Sequence, residues 1–177
     1  MRLQRDGSST LTSTNGNLFI AKYDASGNVL WAKSTAGAGD DGTGNSVSAD
    51  AGGNVFVTGY FTSPTLTFGI TTLTNAGGGG GSFPYDIFIA KYDAGGNVLW
   101  AKSVGGTGWD QGNSVSADAG GNVFVTGSFS SLSLTFGSPT LTLAGNNDVF
   151  IASHHRRHAR RHRVADVRRG FRPHERR

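Results

Sequence analysis

The residues that could do chemistry in this chain are aspartates, and four of them stand in one fixed frame. Asp-Ala-Gly/Ser-Gly-Asn occurs at Asp24–Asn28, Asp50–Asn54, Asp93–Asn97 and Asp118–Asn122. An Asp followed by Gly and Asn suits a tight hairpin turn. The carboxylate accepts hydrogen bonds from nearby backbone N–H groups, and the Gly takes the positive-φ position at no steric cost. The competing chemistry is calcium binding, in which side-chain oxygens alternate with Gly. Each loop has a single carboxylate, however, and lacks the dense ligand series of a calcium loop. Asp24, Asp50, Asp93 and Asp118 are therefore read as turn residues. Asp40, Asp41 and Asp110 stand apart, in the stretch leading into a strand, where a ring of carboxylates could meet cations or sugars. A solvated, turn-forming role is the simpler reading for them.

Catalysis requires a nucleophile, an acid–base pair or a metal brought together by geometry. The chain has no Cys, its five His all lie at position 154 or later, and its one Glu is Glu175. None of the Gly-rich segments is followed by Gly-Lys-Ser/Thr, so none reads as a phosphate loop. These absences lead us to expect no catalytic residue, no metal ligand and no cofactor, and a protein that is not an enzyme.

The aspartates take their positions from a repeat. Residues 45–59, Asn-Ser-Val-Ser-Ala-Asp-Ala-Gly-Gly-Asn-Val-Phe-Val-Thr-Gly, recur without change at 113–127, 68 positions later. Residues 17–34 and 86–103 match at fifteen of eighteen positions. Leu-Thr-Phe-Gly occurs at 66–69 and 134–137, and Thr-Leu-Thr at 72–74 and 140–142. Short apolar runs between Gly/Asn turns predict β-strands, here Ser46–Ala49, Val55–Phe61, Ile87–Tyr92 and Val98–Ser103. Val55-Phe56-Val57 and Val98-Leu99-Trp100 are consecutive apolar residues, which puts apolar side chains on both faces of a sheet. A sheet covered on both faces is what stacked blades require. Residues 62–85 leave room for an extra hairpin, and Gly77–Gly81 for an exposed loop tip. The predicted fold class is all-β: antiparallel four-stranded β-propeller blades, about two of them, forming an incomplete propeller.

Charge divides the chain in two. Residues 1–152 carry six Lys/Arg against ten Asp, whereas 153–177 carry ten Arg against Asp166 and Glu175. The repeat region is therefore assigned to 1–152, with copies at about 17–84 and 86–152, and the Arg/His-rich tail to 153–177. A third copy begins at Asp148-Val149-Phe150-Ile151-Ala152 and demands Lys-Tyr-Asp next, but Ser153-His154-His155 arrives instead. An Arg- and His-rich string is what GC-rich codons give when read out of phase, so the tail reads as a frame-shifted or disordered segment. A genuine basic arm would bind polyanions without sequence specificity. No apolar stretch is long enough to span a membrane, and the first residues carry no signal-peptide core.

Two resemblances follow from these motifs. Val123-Phe124-Val125-Thr126-Gly127 after an Asp-rich turn, and the run Asp86–Asp93, resemble the bacterial seven-bladed β-propeller-type repeats of secreted and cell-surface proteins. The resemblance covers about residues 9–152. It implies a propeller and an extracellular or cell-surface parent protein, and no defined activity. Ala21–Trp31 and Ala90–Trp100 each span eleven residues, with Gly27 or Gly96 seventh and Trp last. This is similar to the tryptophan-docking motif of pyrroloquinoline-quinone dehydrogenases, in which a Trp packs flat on the next blade. Asp24 and Asp93 sit one position late here, and Ser26 or Gly95 replaces the usual Thr. The resemblance implies that Trp31, Trp100, Gly27 and Gly96 make blade-to-blade contacts, with both Trp buried. Trp109, in a Gly-rich loop, has no counterpart in the other copy, and one aromatic alone does not define a binding site.

The expected role is a non-enzymatic structural or binding module. Its partners would be further blades of a larger chain or further copies of itself, with a protein or glycan ligand as an additional partner. Specific nucleic-acid binding is not expected. The alternatives are a fragment of a quinoprotein-like propeller enzyme whose active site lies elsewhere, and polyanion binding by the tail.

Overall fold

A computed structural model describes residues 10–11, 18–37, 42–77 and 84–154 of the chain. The protein is all-β and antiparallel, with its sheets left open as in an incomplete propeller. Its backbone is a four-stranded blade flanked by two partial ones. The first partial blade pairs β1 (Phe19–Tyr23) with β2 (Val29–Ser34). A short strand, β3 (Ala36–Gly37), follows. The complete blade runs in the order β4 (Thr43–Ala49), β5 (Val55–Phe61), β8 (Asp86–Tyr92), β9 (Val98–Val104). The last blade has β10 (Asp110–Ala117), β11 (Val123–Phe129) and β14 (Asp148–His154).

Each unit also inserts a hairpin between its second and third strands. These are β6 (Thr65–Phe68) with β7 (Thr71–Thr74), and β12 (Ser133–Thr135) with β13 (Thr140–Thr142). They fill the stretch that sequence left open for an extra hairpin. The Gly77–Gly81 run lies mostly outside the described residues.

Alternation of side chains along the strands builds two cores. Val55, Val57, Phe61, Phe88, Ala90 and Tyr92 point toward the first partial blade, where they meet Ile20 and Trp31. Phe56 and Ile87, on the opposite face of the same strands, meet Val115, Val123 and Phe150 of the last blade. The inserted hairpins seal both cores, with Leu66, Phe68 and Leu73 in one and Leu134 in the other. The innermost strands of adjacent blades are tied by side chains. Asn45 Nδ2 donates to the Gly112 carbonyl at 2.9 Å. The hydroxyls of Ser46 and Ser48 each accept from a β10 backbone N–H, those of Val115 and Ala117, at 3.1 Å.

The third copy of the repeat departs from the others in sequence at Ser153, yet β14 stays paired with β11 through Ser153 and His154. A ladder of backbone hydrogen bonds accepts any residue that keeps its N–H.

Candidate functional site

The four Asp turns share one geometry. In each hairpin the Asp N–H donates to the Asn carbonyl, and the second Gly N–H donates to the Asp carbonyl. Asp24 Oδ1 accepts from the backbone N–H groups of Ser26 and Asn28, and Oδ2 from Asn28 Nδ2 at 2.9 Å. Asp50 and Asp93 repeat all three bonds. Asp118 holds Asn122 through the same backbone and side-chain pair. The side-chain bond from Asn28 holds the Asp24 carboxyl below its ordinary value, and Asn97 does the same for Asp93. At Asp50 burial pushes upward, but the bonds from Asn54 and Gly52 and the charge of Lys91 win, and the net shift is downward. These oxygens face N–H donors within their own turns, an arrangement suited to shaping backbone. The four carboxylates sit in four separate hairpins. No group of three or more His, Cys, Asp or Glu able to hold a metal occurs among the described residues.

The structure brings Trp31 and Gly96 together across a blade junction. Trp31 lies on the outer strand of the first partial blade and is buried. Its indole N–H donates to the Ala94 carbonyl at 3.0 Å, and its rings stack on Tyr92 at 5.8 Å. A Cβ at Gly96 would come within 2.7 Å of the indole. Gly27 takes the same positive φ, yet a Cβ there would meet nothing within 4 Å. Trp100 differs from the expectation of full burial. It packs against Phe56 with ring centroids 6.3 Å apart but stays half-buried. The hairpin that Trp31 covers would recur after β14, and there the sequence has Ser153-His154-His155-Arg156 in place of Lys-Tyr-Asp-Ala.

Asp40 and Asp41 lie outside the described residues. Asp110 is fully buried. Its carboxylate accepts from the backbone N–H groups of Gly106, Ser130 and Ser131, and from the Ser131 hydroxyl at 2.6 Å. The result is a bracket that joins the β9–β10 loop to the end of β11. Asp86, at the start of β8, is also buried. Its Oδ2 accepts from the Ala76 N–H at 2.7 Å, whereas Oδ1 has no hydrogen-bond partner. Burial is the main force pushing its carboxyl up to about 6; the Ala76 bond pulls the other way and the Asp110 charge adds to the rise.

Sequence reasoning did not find one cluster. Tyr60, Tyr85 and Trp109 stack in a row, with centroids 4.7 Å apart for the first pair and 6.2 Å for the second. Trp109 stands alone in sequence; its neighbours come from segments remote along the chain, so only the fold brings them together. The other missed feature is an apolar face. Phe56 and Ile87 are fully buried between blades, but their equivalents in the last blade, Phe124 and Val149, are 41% and 73% exposed.

No family model matches the sequence. One curated protein, an uncharacterized WD repeat-containing protein of Acanthamoeba polyphaga mimivirus, is 29% identical over 153 residues. The similarity covers 77% of this chain and 11% of that protein, so the chain spans only a small part of the relative's length. With the antiparallel, helix-free sheets, it supports a β-propeller-like repeat.

Proposed function

We propose that the chain is a non-enzymatic propeller module whose open faces pack against further blades of the same kind. One observation carries this reading: the two copies of the repeat present the same face, buried in one and more exposed in the other. Phe56 and Ile87 are sealed by the last blade, whereas Phe124 is 41% and Val149 73% exposed. The polar side of the junction repeats too. Asn45, Ser46 and Ser48 bond to β10, and their counterparts Asn113, Ser114 and Ser116 are exposed. An exposed apolar patch rimmed by polar residues marks an interaction surface. At the other end Val47, the counterpart of buried Val115, is also exposed, so the two ends are complementary.

The finer parts of the proposal rest on motifs. The resemblance of residues 86–93 and 123–127 to bacterial seven-bladed-type repeats, over about residues 9–152, supports a secreted or cell-surface parent. The relative's printed description, WD repeat-containing, fits a repeat scaffold. Residues 153–177 are read, on composition, as a frame-shifted or disordered basic tail.

Sedimentation velocity over a concentration series tests the reading. The full chain should associate. Phe124→Asp combined with Val149→Asp should shift it to monomer while far-UV circular dichroism keeps its β signature. A chain that stays monomeric throughout, or a double variant that associates equally well, overturns it.

A further inference from the structure

We propose that the Tyr60–Tyr85–Trp109 stack is a binding site for a neutral carbohydrate, with the outer face of the Trp109 indole as the platform. Trp109 is 59% exposed, yet it is held firmly. Its N–H donates to the Ser130 hydroxyl at 2.7 Å, its carbonyl accepts from the Ser130 N–H at 3.1 Å, and it forms a parallel bridge with Tyr85. The Asp110 bracket fixes the loop from beneath. A large aromatic fixed in water is how binding surfaces present their anchors, because little conformational entropy is lost on contact.

The internal repeat shows that the blade does not need these rings. At the positions equivalent to Tyr60, Tyr85 and Trp109 in the repeat stand Ser128, Asn147 and Asp41. The neighbours of the two tyrosines are unchanged: Val-Phe-Val-Thr-Gly before Tyr60 or Ser128, Phe after it, and Asp after Tyr85 or Asn147. The last blade forms the same three-strand ladder with Ser128 and without the stack. All three aromatics therefore occur together at one blade junction and serve no purpose common to the blades.

The chemistry around the stack selects the ligand. Residues 60–65, 84–85, 105–109 and 128–133 contain no Lys, Arg, Asp or Glu. Among the described residues, the two nearby carboxylates, Asp86 and Asp110, are buried. An ionic ligand would find no counter-charge among the described surface residues around the stack. The Tyr60–Tyr85 pair is tilted at 32° and the Tyr85–Trp109 pair stacked at 23°, with centroids 4.7 Å and 6.2 Å apart, too close for another ring to enter between them. A proline-rich peptide needs an open slot between rings. A pyranose needs only one flat ring face, against which its polarised C–H groups meet the negative side of the π-system, and hydroxyl or amide neighbours for its own hydroxyls. Thr107 and Gln111, two positions to either side of Trp109 in sequence, carry a hydroxyl and an amide.

The test uses the full chain with maltohexaose, cellohexaose and xylohexaose, and with a proline decamer as the competing class. Saturation-transfer NMR and tryptophan fluorescence report binding. At least one oligosaccharide should bind with a dissociation constant in about the millimolar range, and Trp109→Ala should weaken it about tenfold or more. Trp109→Tyr should restore part of the affinity. Binding to none of the three sugars, sugar binding unchanged in Trp109→Ala, or binding of the proline decamer alone overturns the proposal. Self-association measured on the same Trp109→Ala sample reports separately on blade docking, which this site does not use.

Discussion

A tryptophan can lie flat on a neighbouring hairpin only where that hairpin has no side chain to hold it off. Gly96 serves Trp31 in two ways, through its positive φ and through the missing Cβ, whereas Gly27 serves only through φ. The two glycines therefore separate backbone strain from packing. Gly27→Ala should cost about 1–2 kcal/mol, the left-handed backbone penalty. Gly96→Ala should cost more, at least about 3 kcal/mol, because the indole must also move. Equal losses for the two variants in denaturant unfolding would show that Trp31 does not rest on Gly96. Trp31→Ala should cost about 3–5 kcal/mol in the same assay, and Trp100→Ala clearly less, because half-buried Trp100 loses less contact.

Asp86 sets a pH dependence with a definite sign. Burial pushes its folded carboxyl up to about 6, above the ordinary aspartate range. The folded state thus keeps its proton while the unfolded chain releases one. Asp86 is least costly to the fold below about pH 4, and stability falls as pH rises toward 6 and is level beyond. Asp24, Asp50 and Asp93, shifted downward, act oppositely: what they contribute is present above their ordinary value and lost as pH falls below it. Asp86→Asn isolates the first effect. The stability of the variant relative to the wild type should rise between pH 4 and 6, and a flat difference would show that Asp86 is ordinarily ionised.

At the scale of elements, loops are tied down by single polar side chains. Asn75 closes the base of the β6–β7 hairpin, donating through Nδ2 to the Phe61 and Pro84 carbonyls at 3.1 Å each. Asp110 brackets the β9–β10 loop to the end of β11. Asp110→Ala would leave the part-buried N–H of Gly106 and the buried N–H of Ser131 without their acceptor, at about 1–3 kcal/mol for a buried group left unsatisfied. The change should also free Trp109. Its fluorescence anisotropy should fall and its acrylamide quenching should rise; an unchanged Trp109 in a destabilised variant would separate the bracket from the aromatic site.

For the whole molecule, the question is what lies beyond the open faces. If the segment after Ala152 is a frame-shifted third copy, the coding DNA there should encode a propeller repeat in one alternative frame. That repeat would supply the Gly-bearing hairpin for Trp100 to cover and the outer strand for β14 to pair with. If neither alternative frame encodes a repeat, the frame-shift reading fails.

The sequence by itself determined the strands and the turns. Identical copies, two-residue alternation and Asp-Gly-Asn turns depend on contacts within a few residues, and Val55–Phe61 came out with its bounds unchanged. The both-faced apolar runs showed that sheets would stack, because alternation assigns each side chain to a face before any partner is known. Only the tertiary structure decided what met across the stacks. It sorted Trp31 from Trp100, sequence twins that differ because one has a hairpin to cover. It buried Asp110 and left an oxygen of Asp86 unpaired. It also gathered Tyr60, Tyr85 and Trp109 from separate segments of the chain. Such encounters depend on blade packing, and in a repeat protein the same local sequence meets different neighbours at each junction.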